Sequence, residues 1–561
     1  MRLKRTDIRD LIVWALVALL LGFLISNKHS KTGTFNWTTP LWADQAGYYV
    51  YLPAYFVYDF DASKFPEKVD EKTGMGFSFD QPKNKVITRY TCGVALMQAP
   101  VFLVIHQIAG ITGQSQDGFS GIYHKVPDWA ALLYCLLGLF FLRKFLLFYF
   151  KNWVSWAVVA VVFFGTNVYY YAVDSTGMSH IYSFALVAIV LWLSKIIQEI
   201  GLKYRLLYVI LWSLIIGLIV LIRPTNALIF PFLFFLDARS VANARDRIVR
   251  FFKSGDILVL AVSVVVVFLP QFLYWKYASG NYISDSYEGF GFTNWKSPKI
   301  LELWFSPNNG LFLYNPLYLM AVIGLVLMIR DKLLNGWIIL TTFLLASYIY
   351  ASWFVFSFGC SFGSRNFVEY MPLFALPIGY IFSRNSKKIK QIAMVGIIGL
   401  LTVANVQLVY SYNKCFDGGT WEFKKYREYW FHVWKFHQKL DMGNDTNLTD
   451  KNEFSKTLYI SAKEISKINY EKAIVKAKVS LTDLNSEAAL VVSVMKNDST
   501  YFWDGIRLKS QIADGKLNNF KTIEGTFKLP LALPENSTIA VYVWNKNKEK
   551  LQVKTIDFYL E

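Results

Sequence analysis

A series of apolar runs, each about 20 residues and so long enough to cross a bilayer, recurs from Leu11 to Tyr412 and constrains this chain more than any other feature. Hydrocarbon offers no partner to backbone N–H and C=O groups, so such runs fold as helices that satisfy themselves. After Asn413 no such run occurs and the polarity becomes ordinary. The sequence predicts a polytopic α-helical membrane part over 1–412, a linker over 413–450 and a separate part over 451–561. Composition agrees: 54% of the 561 residues are hydrophobic and only 17% are charged, against roughly 25% in soluble domains.

The formal net charge of +18 is dispersed over short clusters between the apolar runs, at Arg2 to Arg5, Arg143 to Lys151, Lys195 to Arg205, Arg239 to Lys253, Arg330 to Lys332 and Arg384 to Lys390. That spacing encodes orientation and offers no nucleic-acid patch, so each cluster is expected on the cytoplasmic side. About eleven spans follow, at 11–26, 126–149, 153–172, 178–195, 206–222, 224–236, 256–276, 312–329, 335–356, 367–383 and 390–412, with the N-terminus cytoplasmic and the C-terminus outside. The first is read as a retained anchor, since Ser26 to Ser30 lacks a small-residue cleavage site. Gly93 to Ile111 is also apolar, but a crossing there would invert every later basic loop, so it is expected to lie in the interface or re-enter. Leu206 to Leu236 is short for two crossings and is expected to form a helical hairpin broken at Arg223-Pro224. Cys92, Cys135, Cys360 and Cys415 show no metal-ligand spacing.

From about Lys451 the pattern alternates, as in Ala473-Ile474-Val475-Lys476-Ala477-Lys478-Val479 and Thr538-Ile539-Ala540-Val541-Tyr542-Val543-Trp544, which predicts an all-β sandwich of roughly 110 residues on the extracytoplasmic side. Tyr501-Phe502-Trp503-Asp504-Gly505 and Tyr542-Val543-Trp544-Asn545 resemble strings of jelly-roll carbohydrate-binding modules. Trp503 and Trp544 are therefore candidates for stacking on a glycan, with a purely structural module as the alternative.

Most side chains able to do chemistry fall in the outer loops. The first of these contains Asp44-Gln45-Ala46-Gly47-Tyr48-Tyr49-Val50-Tyr51-Leu52-Pro53-Ala54, an acidic residue followed by an aromatic, partly amphipathic segment. Further along stand Arg89-Tyr90, Met178-Ser179-His180, Arg223-Pro224-Thr225, Ser306-Pro307-Asn308-Asn309-Gly310-Leu311-Phe312 and Ser361-Phe362-Gly363-Ser364-Arg365. In this order, over roughly 1–412, the strings resemble the GT-C superfamily of membrane glycosyltransferases, in particular the protein O-mannosyltransferase and aminoarabinose transferase relatives of glycosyltransferase family 39. The resemblance implies a GT-C-like fold and an essential acidic residue in the first outer loop, matched here by Asp44. It also implies inverting transfer of a sugar from a polyprenyl-phosphate donor to a lipid, glycan or protein acceptor, and placement in a bacterial inner membrane.

The chemistry agrees with that placement. A carboxylate within reach of an acceptor hydroxyl can act as general base, and guanidinium groups can stabilise the charge that grows on the lipid phosphate. Asp44 is the candidate base, with Arg365, Arg223 and Arg89 as candidate phosphate ligands and Tyr48 and Tyr90 as substrate contacts. His180 and Asp174, flanking a hairpin, could bind a sugar, a pyrophosphate or a metal, or could be a structural cap. Glu369 is a further substrate-contact candidate, although its i, i+4 spacing from Arg365 makes a mutual pair the plain reading. Asp59-Phe60-Asp61 has spacing that could hold a divalent cation, so a metal stays open while no cofactor is required. Phosphate-binding Gly-rich loops, Ser/His/Asp strings and HExxH are missing from the sequence, which leaves transfer from an activated donor. Competing readings are a flippase for a lipid-linked glycan and a non-catalytic glycan-binding membrane protein.

Overall fold

A computed structural model describes residues 8–30, 35, 39–199, 202–284, 290–359, 361–384 and 388–412. In the C-terminal part it describes 436–443, 447–448, 452–465, 470, 472–483, 486–496, 499–512, 517–530, 533–534 and 536–560. The cluster Arg2 to Arg5, Cys360, Cys415 and the linker up to residue 435 lie outside the described residues. The chain forms two compact units that divide near residue 430.

The first unit is a polytopic helical membrane domain. Among the described residues eight helices are long and apolar enough to cross a membrane: Ile8–His29, Gly93–Ile111, Gly121–Leu146, Ser179–Glu199, Arg205–Ile222, Asp256–Ser279, Leu334–Ala351 and Ile392–Tyr410. Four expected spans are instead built from shorter pieces. Asn152–Phe164 is followed by Val168–Val173, the turn Pro224–Leu228 by Ile229–Phe235, Leu311–Tyr314 by Leu317–Arg330, and the 3-10 turn Arg365–Tyr370 by Met371–Ser383. Proline explains one of the breaks, since Pro316 has no N–H to continue a helix and disfavours helical geometry in the residue before it, and Pro224 ends the helix Arg205–Ile222 in the same way.

Ion pairs sort the helix ends into two layers. At one end Arg143 Nη2 meets Asp10 Oδ2 at 2.8 Å, Lys195 Nζ meets Asp237 Oδ2 at 2.5 Å, Arg205 is bidentate to Asp256, and Arg384 Nε meets Asp331 Oδ2 at 3.1 Å. Every basic cluster represented here lies at this end. At the far end His29 Nε2 lies 2.8 Å from the Val173 carbonyl, Lys28 pairs with Asp174, and Thr176 donates to Asp128 at 2.9 Å. The descent from Arg223, beside His180, to Asp237, beside Lys195, connects the two layers, as the broken hairpin requires.

Gly93–Ile111 has the length of a span, yet all of its polar contacts lie in the far layer. Cys92 N, at its start, donates to Gln271 at 2.8 Å, and Gln98 donates to Tyr182 at 2.8 Å. Fourteen residues beyond Cys92, His106 Nδ1 lies 2.6 Å from the hydroxyl of Tyr123, which precedes the Lys125–Leu146 helix. A crossing helix would by then have descended about 20 Å at 1.5 Å per residue. This one lies across the far end, with Leu96, Leu103, Val104, Ile108 and Ile111 exposed along one face.

The C-terminal unit follows a small first-loop hairpin of β1 (Ser78–Asp80) and β2 (Lys85–Ile87) in strand order. Its strands are β3 (Phe436–Asp441), β4 (Asn447–Leu448), β5 (Leu458–Ser461), β6 (Ala473–Leu481), β7 (Ala489–Lys496), β8 (Ser499–Arg507), β9 (Lys521–Phe527), β10 (Thr538–Trp544) and β11 (Leu551–Leu560). One antiparallel sheet has the order β5-β10-β7-β8; the other has β3-β11-β6-β9, with β4 also on β11. Val475, Ala477 and Val479 from one sheet, with Leu490, Val492, Ile539 and Val541 from the other, form the shared core, as alternation demands. β3 and β4 lie within 413–450, so part of the stretch expected as linker is strand.

Candidate active site

Asp44 opens the short helix Asp44–Tyr49 at the far end of the first unit. Its backbone is fixed by a close crossing: a Cβ on Gly76 would meet the Ala43 carbonyl oxygen at 1.9 Å, and one on Gly47 would meet the Tyr90 ring at 2.3 Å. Tyr90 can therefore lie on the helix, and its hydroxyl donates to Asp44 Oδ1 at 2.5 Å. The Tyr48 and Tyr90 rings pack at 4.5 Å. Burial raises the pKa of the Tyr48 phenol, with Arg223 opposing and Asp44 adding to the shift, so it stays a neutral wall of the site.

Arg365 Nη2 approaches Asp44 Oδ2 at 3.4 Å from the other side, across 321 residues of sequence. It follows a tightly held loop in which Gly363 and Ser364 both have positive φ, at 52° and 29°. Asn167 donates to the Gly363 carbonyl at 2.6 Å, Tyr412 to the Ser361 carbonyl at 2.6 Å, and Ser364 N to the Asn309 carbonyl at 2.7 Å. Asn309 in turn donates to the carbonyls of Ser357 and Gly359 at 3.2 and 3.1 Å. The Ser306-to-Phe312 string thus acts as the brace of the arginine loop, a role that residue type alone did not signal.

A second cluster sits beside the first. His180 Nδ1 and Glu369 Oε1 are 2.9 Å apart, and Arg223 Nη1 lies 3.3 Å from that nitrogen and 3.4 Å from that oxygen. The Asp44 side chain is 37% exposed, Arg223 18% and Arg365 14%, whereas Glu369 is 1% and His180 0% exposed. Solvent therefore reaches the aspartate and both guanidinium groups, while the imidazole and the glutamate are sealed.

Several expectations change. Glu369 does not pair with Arg365: residues 365–370 form a 3-10 turn, and at three residues per turn positions i and i+4 no longer share a face. His180 and Asp174 do not form one site, because Asp174 is taken by Lys28 at the end of the first helix. Burial raises the pKa of the Asp174 carboxyl, and Lys28 opposes that shift. Arg89 is exposed, and no hydrogen bond or ion pair joins it to the cluster among the described residues. Asp61 caps Ser63 and accepts from Asn84, bonds that lower its pKa, while Asp59 pairs with Lys64, so the two carboxylates serve separate turns. No group of three His, Cys, Asp or Glu side chains is placed to share a metal ion among the described residues.

In the C-terminal unit the register places Tyr459, Ala540, Ser493 and Trp503 in one row across the sheet β5-β10-β7-β8. Trp503 lies over Gly505 and meets Trp544 edge-on at 6.2 Å between ring centroids. Tyr459, Tyr501 and Trp503 are all at least half exposed.

No protein-family model matches the chain, and no curated protein matches it. Among solved structures it is similar to the archaeal oligosaccharyltransferase AglB from Archaeoglobus fulgidus in complex with an inhibitory peptide and a dolichol-phosphate. There the identity is 15% and the TM-score 0.42, over 74% of this chain and 59% of that one. The apo form of the Archaeoglobus fulgidus oligosaccharyltransferase gives 14% and 0.43, over 76% and 60%. Arabinosyltransferase EmbB from Mycobacterium smegmatis gives 10% and 0.34, over 100% and 65%. The chain thus spans about 60% of the length of the oligosaccharyltransferases it matches. Likenesses with TM-scores below 0.5 carry nothing about its chemistry.

Proposed function

We propose that this protein is a membrane glycosyltransferase of the GT-C kind, which transfers a sugar from a polyprenyl-phosphate donor to a lipid, glycan or protein acceptor on the extracytoplasmic side. The observation that carries this reading is the meeting of a partly open carboxylate, Asp44, with the partly open guanidinium of Arg365, with a second one, Arg223, near the same Tyr48 ring, at the end of the helical domain opposite the basic clusters. Asp44 would take the proton of the acceptor hydroxyl as that oxygen attacks the anomeric carbon. The bond from that carbon to the phosphate oxygen breaks, and the electron pair leaves on the phosphate. A planar guanidinium matches the charge that grows there. One displacement inverts the anomeric centre. The basic-end clusters, facing a cytoplasm, would set the orientation, and a bacterial inner membrane fits a carrier made of polyprenyl phosphate.

The test is sugar release from radiolabelled polyprenyl-phosphate donors by purified protein in lipid, for wild type and Asp44→Asn, over a panel of acceptors. Turnover by wild type with loss in the variant is expected. Equal turnover overturns the role of Asp44, and donor translocation without transfer moves the protein to the flippase class.

A further inference from the structure

We propose that Glu369 and His180 are positioning residues: the buried carboxylate holds the Arg223 guanidinium where the donor phosphate binds, and the imidazole holds the carboxylate. The proposal rests on the donor reading above and adds to it how one phosphate ligand is kept in place. Direct substrate contact is closed to both residues, at 1% and 0% exposure, whereas the guanidinium they touch is partly open. A carboxylate only accepts hydrogen bonds, so His180 Nδ1 carries a proton and donates to Glu369 Oε1 at 2.9 Å, and Arg223 Nη1 donates to the same oxygen at 3.4 Å.

Three elements converge there: the start of the helix Ser179–Glu199, the 3-10 turn Arg365–Tyr370, and Arg223 itself, extended at φ −151° because Pro224 follows. The 3-10 geometry that turns Glu369 away from Arg365 is what delivers it to Arg223. The Tyr171 ring packs on His180 at 4.5 Å, so the imidazole cannot swing. Glu369 Oε2 and His180 Nε2 are buried with no hydrogen-bond partner among the described residues. A site needed only to tie helices together would be served better by a neutral amide, since a buried ion is costly. A negative charge does one thing an amide does not: it fixes a neighbouring guanidinium by charge as well as by geometry.

The experiment measures binding of sugar-free polyprenyl phosphate to the full chain in lipid nanodiscs for wild type, Glu369→Gln, Arg223→Met and the double variant, with thermal stability and sugar transfer recorded on the same samples. Glu369→Gln should weaken binding about tenfold when Arg223 is present, and add nothing to the loss caused by Arg223→Met, as coupled neighbours do. Glu369→Asp keeps the charge and should fall between wild type and Glu369→Gln, which supplies a readout if the amide variant folds poorly. Additive losses, or a lowered melting temperature with unchanged affinity in the folded protein, would overturn the proposal. Wild type that binds and transfers while Glu369→Gln binds equally well sinks this inference alone. Wild type that neither binds nor transfers sinks the donor reading and this inference with it.

Discussion

Asp44 is held at one oxygen by Tyr90 and approached at the other by Arg365, so its carboxylate is aimed without being sealed. If it is the base, Asp44→Asn keeps the shape and the Tyr90 bond but cannot take a proton. Turnover should fall about 10²–10⁴-fold with an unchanged melting temperature, read by single-turnover sugar transfer. Tyr90→Phe removes the bond that aims Asp44, so a loss of about tenfold in kcat is expected, equal to about 1.4 kcal/mol of barrier. Gly47→Ala is the steric counterpart. Its methyl would enter the Tyr90 ring and the Gly76 carbonyl, at 2.3 and 2.4 Å, and overpacking of this kind costs about 1–3 kcal/mol. A lowered melting temperature together with lost transfer is expected from it.

At the scale of elements, the segment Ser361 to Arg365 owes its shape to groups from far along the sequence: the side chains of Asn167 and Tyr412 and the backbone carbonyl of Asn309. Asn309→Ala deletes both bonds to the Ser357 and Gly359 carbonyls. Losing them should cost about 1–3 kcal/mol, visible as a lower melting temperature and as a raised donor KM once Arg365 is no longer braced. These dependencies also mark what could be read from sequence. Asp44 and Arg365 were legible as a separate carboxylate and guanidinium because each stands in a polar string beside an apolar run. The partnership of Glu369 with His180 was not, since it depends on residues 365–370 winding as a 3-10 turn instead of an α-helix, a choice made by packing. Alternation along Ala473 to Val479 announced the sandwich, but β3 and β4 are too short and irregular to announce themselves within 413–450. Its aromatic row gives a test of its own: if the sheet binds glycan, Trp503→Ala should abolish retention on polysaccharide columns without loss of the fold, because that ring is half exposed.

At the scale of the whole molecule, hydropathy and basic clusters were enough to place most of the helices, because apolar length is the one property a bilayer demands. Hydropathy alone could not say how Gly93–Ile111 lies, since a surface helix and a spanning one can share a composition; the parity of the basic clusters pointed to the interface or a re-entry, and Gln98 on Tyr182 and His106 on Tyr123 agree with a helix lying across the far end. Lys83 and Gln114 flank this helix and are both exposed, as is Arg245 at the basic end. Single cysteines at these three positions, in a chain whose own four are serine, separate the arrangements by labelling with an impermeant maleimide on spheroplasts. With the helix flat and the basic end cytoplasmic, Lys83→Cys and Gln114→Cys label together and Arg245→Cys does so only after lysis. If Lys83→Cys and Gln114→Cys fell on opposite sides, the helix would be a span, the parity of every later helix would invert, and Asp44 would no longer share a side with Arg365. That outcome contradicts their 3.4 Å contact, so the labelling tests the orientation and the site together.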